Sequence, residues 1–238
     1  MRGIQVITPV KDSIDLTLGT VRAVLKSEGV HNISYTIYND FSTVENTLRL
    51  EQASVEYGFD LINLSKLTTQ PSPNYLLILQ EAQRAALTRK EALCIVESDV
   101  VVQPDTISRL FEETQLRQDC GLAAAVTVDD QGMVNYPYLY ARRLEKEPCA
   151  TKKHLSFCCT LMTEKFLQCY DFGQLDAGKS WHDVTISRQS LRLGFQNYLF
   201  PNLPVWHRPH GSRPWKQLKY THPVKYYFLK MVRQRDKI

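Results

Sequence analysis

A chain of 238 residues, 43% hydrophobic and 23% charged, is long enough for one large domain with a substantial core, and its composition is ordinary for a soluble globular protein. A formal charge of +4, supplied largely by an Arg/Lys-rich C-terminal segment, leaves the body near neutral and argues against general nucleic-acid binding. With only Arg2 ahead of Ile4-Gln5-Val6-Ile7 there is too little for a signal sequence, and no apolar run reaches membrane-spanning length, so a cytoplasmic protein is expected.

From the amino terminus, Ile4 to Val10 is β-branched and alternating and reads as a first strand, with a ligand-facing turn at Lys11-Asp12-Ser13. Leu16, Leu18, Val21, Val24 and Leu25 have helical spacing, ending near Gly29. Ile33 to Tyr38 is a second strand, and the polar turn Asn39-Asp40-Phe41-Ser42-Thr43 at its end offers groups that bind a ligand or cap the next helix. Val44 to Tyr57 reads as a helix with Leu48, Leu50 and Val55 for its inner face, followed by a short strand at Asp60 to Leu64. Pro71 and Pro73 enforce a loop through Asn74 before a helix over Tyr75 to Leu87.

Leu93 to Val96 reads as a buried strand with two carboxylates, Glu97 and Asp99, one residue apart at its carboxyl end, where α/β folds bind ligands. Two such groups beside a dry sheet repel one another unless a cation sits between them or both face water at a loop tip. A helix follows from Gln103-Pro104-Asp105 through Phe111. The alternation of strand and helix to this point predicts a mostly parallel sheet covered on both faces, with right-handed crossovers.

The second half changes character. Leu122 to Val128 is an apolar strand, and Val134 to Tyr140, after the Asp129-Asp130-Gln131-Gly132 turn, is expected to add a hairpin strand. His154 to Met162 reads as a further strand, Thr163 as the cap of a helix over Glu164 to Tyr170, and Gly173 to Ser180 as a loop able to order over a ligand. Asp183 to Leu193 is a helix closed by Gly194, and Phe195 to Phe200 a strand that gives way at Pro201 to Pro204. Cys94, Cys120, Cys149, Cys158, Cys159 and Cys169 show no paired zinc spacing and read as buried thiols of a reducing compartment.

The order Ile7-Thr8-Pro9, Asn39-Asp40-Phe41-Ser42-Thr43, Glu97-Ser98-Asp99, Trp181-His182-Asp183 with Gly194 behind it, and then His207 resembles the family 2 glycosyltransferases, over residues 4 to 212. That resemblance implies an inverting enzyme of GT-A fold that uses a nucleotide-activated sugar. It implies further that Thr8, Pro9, Asp40, Asn74 and Ser98 lie about the nucleotide, with Asp40 accepting from the base edge. Glu97-Ser98-Asp99 stands where the family has Asp-x-Asp, so Asp99, Glu97 and His207, with His210 the other candidate histidine, become the ligands of Mn²⁺ or Mg²⁺ on the diphosphate. Glutamate in the first position is a departure that leaves Glu97 to contact the metal, the ribose or a water. Asp183 becomes the base that takes the acceptor's proton, although by residue type alone it reads first as a helix-capping aspartate.

The processive relatives' Gln-x-x-Arg-Trp motif is missing, which implies a single addition to a saccharide or lipid-linked acceptor, from a donor expected to be a UDP-sugar. Two rivals remain: a nucleotidyltransferase, for which the turn at Lys11-Asp12-Ser13 lacks the glycines, and an inactive nucleotide-sugar binder, which Glu97 makes conceivable. The expected organisation is a glycosyltransferase domain over 1–212 and a basic, aromatic tail over 213–238, which lies at an anionic membrane surface, packs on the domain, or joins two copies in a homodimer.

Overall fold

The computed structural model describes residues 3–29, 32–208 and 222–232. Its centre is a parallel trio: β1 (Ile4–Val10) pairs with β2 (Ile33–Asn39) on one side and β4 (Ala92–Val96) on the other, with β3 (Asp60–Asn63) beyond β2. The sheet continues through β8 (Cys159–Met162), β6 (Cys120–Val128) and β9 (Gln196–His207) to β5 (Val100–Val101), in the order β3-β2-β1-β4-β8-β6-β9-β5, and β7 (Cys149–Ala150) pairs with β9. Only β8, β5 and β7 run against the common strand direction. The mostly parallel α/β architecture with a smaller antiparallel addition is therefore the observed one.

Side chains alternate across a strand, so each face receives its own apolar layer. On one face Ile4, Val6 and Val10 of β1 meet Val21 and Val24 of α1 (Ile14–Leu25) and Ile107 and Leu110 of α4 (Thr106–Leu116). On the other, Ile7, Leu93 and Ile95 meet Ile78, Leu79 and Ala82 of α3 (Tyr75–Arg89), Phe166 of α5 (Glu164–Cys169) and Ile186 of α6 (His182–Arg192). The Gly121-Leu122-Ala123-Ala124-Ala125 run keeps β6 thin. A Cβ on Gly121 would stand 2.2 Å from Ser190 Oγ, so glycine is what lets α6 lie close to the sheet.

Four expectations are corrected. Val134 to Tyr140 forms a single bridge, Val128 to Val134, and then curls into a 3₁₀ turn at Leu139–Arg143; Pro137 has no N–H for a ladder and the Tyr138 N–H closes a turn onto Asn135. The strand at His154 to Met162 begins only at Cys159, because Leu155 N–H is taken by Ser187 Oγ and Ser156 N–H by the Tyr138 hydroxyl. Conversely β9 does not stop at its prolines: Ala125 pairs with Phe200 and Val126 with Pro204, so residues 201–203 are absorbed as a bulge and pairing resumes to His207. Finally, α2 (Val44–Tyr57) buries Leu50 and Ala53, while Leu48 and Val55 are 53% and 88% exposed.

Candidate active site

The turn after β4 is tight. Val100 N–H returns to Glu97 O (3.1 Å) while Glu97 N–H is held by Cys158 O (3.0 Å). This starts β5 at once, and β5 pairs antiparallel with the end of β9 in a register that sets Val100 opposite His207. Arg208 N–H donates to Asp99 O at 2.9 Å, clamping the two chain segments together. The buried side chains of Asp99 and His207 consequently face one another, Oδ2 to Nε2, at 3.6 Å.

His207 Nδ1 lies 2.8 Å from Tyr136 O, and a carbonyl can only accept, so Nδ1 carries the hydrogen and Nε2 is turned toward Asp99. Asn135 Nδ2 also donates to His207 O, fixing the strand end from the same side. Burial alone would hold the imidazole neutral, but the Asp99 carboxylate, with Glu97 behind it and the Tyr136 carbonyl, outweighs burial and raises the His207 pKa. A carboxylate oxygen facing an imidazole nitrogen whose far side is already oriented is a donor pair suited to Mn²⁺.

Glu97 stands beside Cys158. Its Oε2 lies 3.7 Å from the thiol of Cys158, which burial and then Glu97 and Asp99 keep protonated, its pKa pushed well up. Among the described residues no three His, Cys, Asp or Glu side chains converge as a metal-binding group. Ser98, in the turn between the two carboxylates, is buried.

The helix α6 brings in Asp183. It lies in the first turn, where the positive end of the helix favours a carboxylate, and its Oδ1 accepts from Val184 N–H at 2.9 Å. Burial drives the pKa of the Tyr75 phenol well up, and the charges of Glu97, Asp183 and Cys158 add to that rise. The Tyr75 ring is near-parallel to those of Phe157 (6.3 Å, 11°) and His182 (6.4 Å, 6°), which joins α3, the segment before Cys158, and α6 through one set of rings. Its hydroxyl is buried without a hydrogen-bond partner among the described residues. Glu97 is two residues from Asp99, and its charge adds to the rise in the His207 pKa. His182 itself is held neutral by burial, against a smaller opposing pull from Asp176.

Asp40 and Asn74 also come together. Asp40 Oδ2 accepts from Ser72 Oγ (2.7 Å) and Asn74 N–H (2.9 Å), and Oδ1 from Asn74 Nδ2 (2.8 Å). A carboxylate offers about four lone-pair positions, so these bonds leave Oδ1 room for one more donor. The turn after β2 is pinned to the turn after β1: Lys11 Nζ donates to Phe41 O, Asp12 N–H to Ser42 Oγ, and Thr43 N–H and Asn46 Nδ2 to Asp12 Oδ1. Those bonds sustain consecutive left-handed residues at Asp12 and Ser13 (φ 56° and 54°). Beside them a cavity of about 260 Å³ is lined by Asn39, Phe41, Ser42, Val44, Thr47, Leu48 and Ser65.

The remaining candidates are placed differently. Thr8 is fully buried and its hydroxyl is 2.9 Å from that of Tyr35, so its side chain belongs to the wall behind the site; Pro9, one residue on, is half-buried. His210 and most of the 213–238 tail lie outside the described residues. A larger cleft of about 450 Å³, lined by Lys90, Arg117 and Lys165 among others, sits at the amino end of β4 and β6, away from every carboxylate discussed above. Sequence reasoning missed Tyr75, Cys158 and the Tyr136 carbonyl. For Tyr75 a signal was available, since it directly follows Asn74 at the mouth of a strand-end loop.

No protein-family model matches the chain, and no curated protein sequence matches it. Solved structures do. A mannosyltransferase, PcManGT, from Pyrobaculum calidifontis in complex with GDP-Man and Mn²⁺ superposes with a TM-score of 0.65 at 15% identity, over 98% of this chain and 65% of that one. GalNAc-T7 with UDP, GalNAc and Mn²⁺ gives 0.64 at 12% identity over 89% and 45%, and S. aureus TarS 1-349 gives 0.64 at 14% identity over 86% and 60%. The chain therefore spans between 45% and 65% of the length of these neighbours, and at such identities the likeness is one of architecture. The chain has the fold of the GT-A glycosyltransferases.

Proposed function

We propose that the chain transfers a single sugar, with inversion, from a nucleotide-diphosphate donor, a UDP-sugar, to a hydroxyl of a saccharide or lipid-linked acceptor in surface polysaccharide or glycoconjugate synthesis. The observation that carries this reading is the Asp99–His207 pair at the carboxyl edge of a GT-A sheet, with a separate carboxylate, Asp183, in the first turn of α6. In this reading Asp99 and His207 hold Mn²⁺ or Mg²⁺, and the cation when bound offsets charge on the departing diphosphate. Asp40 and Asn74 hold the nucleoside, Ser98 and the backbone of Pro9 border it, and Thr8 supports it from behind. Asp183 accepts the proton of the attacking hydroxyl, from the face opposite the leaving nucleotide.

The test is Mn²⁺-dependent release of nucleotide from a panel of sugar donors, preceded by thermal-shift screening to find the donor that stabilises the protein. Asp183→Asn is expected to lower turnover by on the order of 10²–10⁴ with donor affinity retained. Stabilisation by nucleotide sugars without turnover in the unaltered protein would select the second reading, an inactive binder. What favours that alternative is the glutamate at position 97, whose Oε2 meets the Cys158 thiol at 3.7 Å.

A further inference from the structure

The helix Pro223–Val232 is attached by one face and presents the other. Tyr226 is buried to 3%, whereas Val224, Tyr227 and Phe228 are 84%, 58% and 59% exposed. At about 100° per residue, Val224, Tyr227 and Phe228 fall within an arc of roughly 100° on the side away from Tyr226, and Lys225 flanks that arc. An aromatic anchor thus holds the helix down while valine, tyrosine and phenylalanine look outward. Charge identifies what they meet. The stretch from Arg213 to Ile238 holds eight Lys and Arg against the single Asp236, a formal +7, which leaves −3 on residues 1–212 of a chain totalling +4.

We propose that this helix is a peripheral docking surface for an anionic lipid bilayer. Tyr227 and Phe228 enter the headgroup boundary with Val224, and Lys225, with the basic residues that adjoin the helix in sequence, meets lipid phosphates and carboxylates. Among the described residues no helix is long and apolar enough to cross a membrane, so the contact is lateral. A lone three-residue apolar face binds neutral lipid weakly, and attraction to anionic headgroups within a Debye length supplies the remainder. The surface is independent of the sugar-transfer reading, because it uses none of the site residues.

The test is flotation of the full chain, without donor or metal, on vesicles of phosphatidylcholine alone and of phosphatidylcholine with about a third phosphatidylglycerol. Binding is expected on the anionic vesicles only, lost in about 0.5 M salt, and weakened about tenfold or more in a Tyr227→Ser/Phe228→Ser variant. That variant changes exposed side chains, so its circular dichroism and melting temperature should match the parent's. A Val224→Ser variant, removing the third apolar contact, should weaken binding by a smaller factor. Three results would overturn the proposal: no flotation at low salt, equal flotation on neutral vesicles, or a parent that elutes as a dimer which Tyr227→Ser/Phe228→Ser dissociates without altering lipid binding.

Discussion

Replacing Asp40 by asparagine keeps the shape of the side chain and changes what it can accept. The aspartate receives three hydrogen bonds, from Ser72 Oγ, Asn74 N–H and Asn74 Nδ2, at 2.7 to 2.9 Å, and stands at the start of α3. An amide oxygen in the Oδ2 position still serves the first two donors, but the amide nitrogen then faces Asn74 Nδ2, donor against donor. Asn74 must flip to relieve this, which surrenders its bond to Gln70 O. Losing one neutral bond costs about 1 kcal/mol, the lost charge assistance about another, and the lost interaction with the α3 dipole about 0.5, for a total of about 2–3 kcal/mol. For a domain of this size that is a fall of roughly 4–12 °C in melting temperature without ligand. Differential scanning calorimetry of Asp40→Asn measures it, and titration calorimetry with UDP at a temperature where both proteins are folded measures the accompanying loss of nucleotide affinity. A variant that melts within about 1 °C of the parent, yet binds nucleotide more than tenfold more weakly, would refute the idea that Asp40 acts by holding the 70–74 loop.

The metal-site reading makes a pH-dependent prediction. Asp99 raises the folded pKa of His207 above its unfolded value, so the protonated pair stabilises the metal-free protein fully below the ordinary histidine range and this contribution fades as pH rises through the raised pKa. Asp99→Asn should therefore cost more stability at about pH 5.5 than at about pH 8.5. Mn²⁺ needs Nε2 bare, so its apparent affinity should climb by up to about tenfold per pH unit below that pKa and then level, and His207→Ala should abolish the climb. Tyr75→Phe removes a buried hydroxyl without a hydrogen-bond partner among the described residues and should leave stability unchanged or raise it by about 1 kcal/mol, read as melting temperature. Gly194, at φ 86° with open space where a Cβ would stand, should tolerate alanine at a cost of about 1–2 kcal/mol of backbone strain; Gly121→Ala, colliding with Ser190 and Phe195, should cost more, and urea midpoints rank the two.

Most of the first half of the fold was legible because periodicity and strand-end polarity agree there: β1 and α2 have the bounds their patterns predict, and Glu97, Asp99 and Asp40 stand at strand ends. Where pattern misled, the cause was a competing use of the backbone. Residues 154–158 look like a strand, yet their N–H groups are claimed by Ser187 and Tyr138. Pro201 and Pro204 announce a loop, yet a bulge carries β9 past them. Leu48 and Val55 have helical spacing for an inner face, but β2 and β3 are covered by Leu50 and Ala53. Within the site, pairing at a distance was hidden. Nothing in residues 97–99 says that Asp99 will face an imidazole 108 positions later, or that Glu97 will turn to a thiol.

That long strand acts as a ruler. Gln196 follows α6, the bearer of Asp183, almost directly, and the same strand ends at His207, so the offset between the two is written in the number of peptide units. Inserting or deleting a single residue between Val205 and His207 would turn the imidazole to the opposite side of the sheet, away from Asp99. The bulge at 201–203 is the one stretch of the strand with slack to absorb such a change. Length variation across this segment should be confined there, however freely the sequence itself drifts.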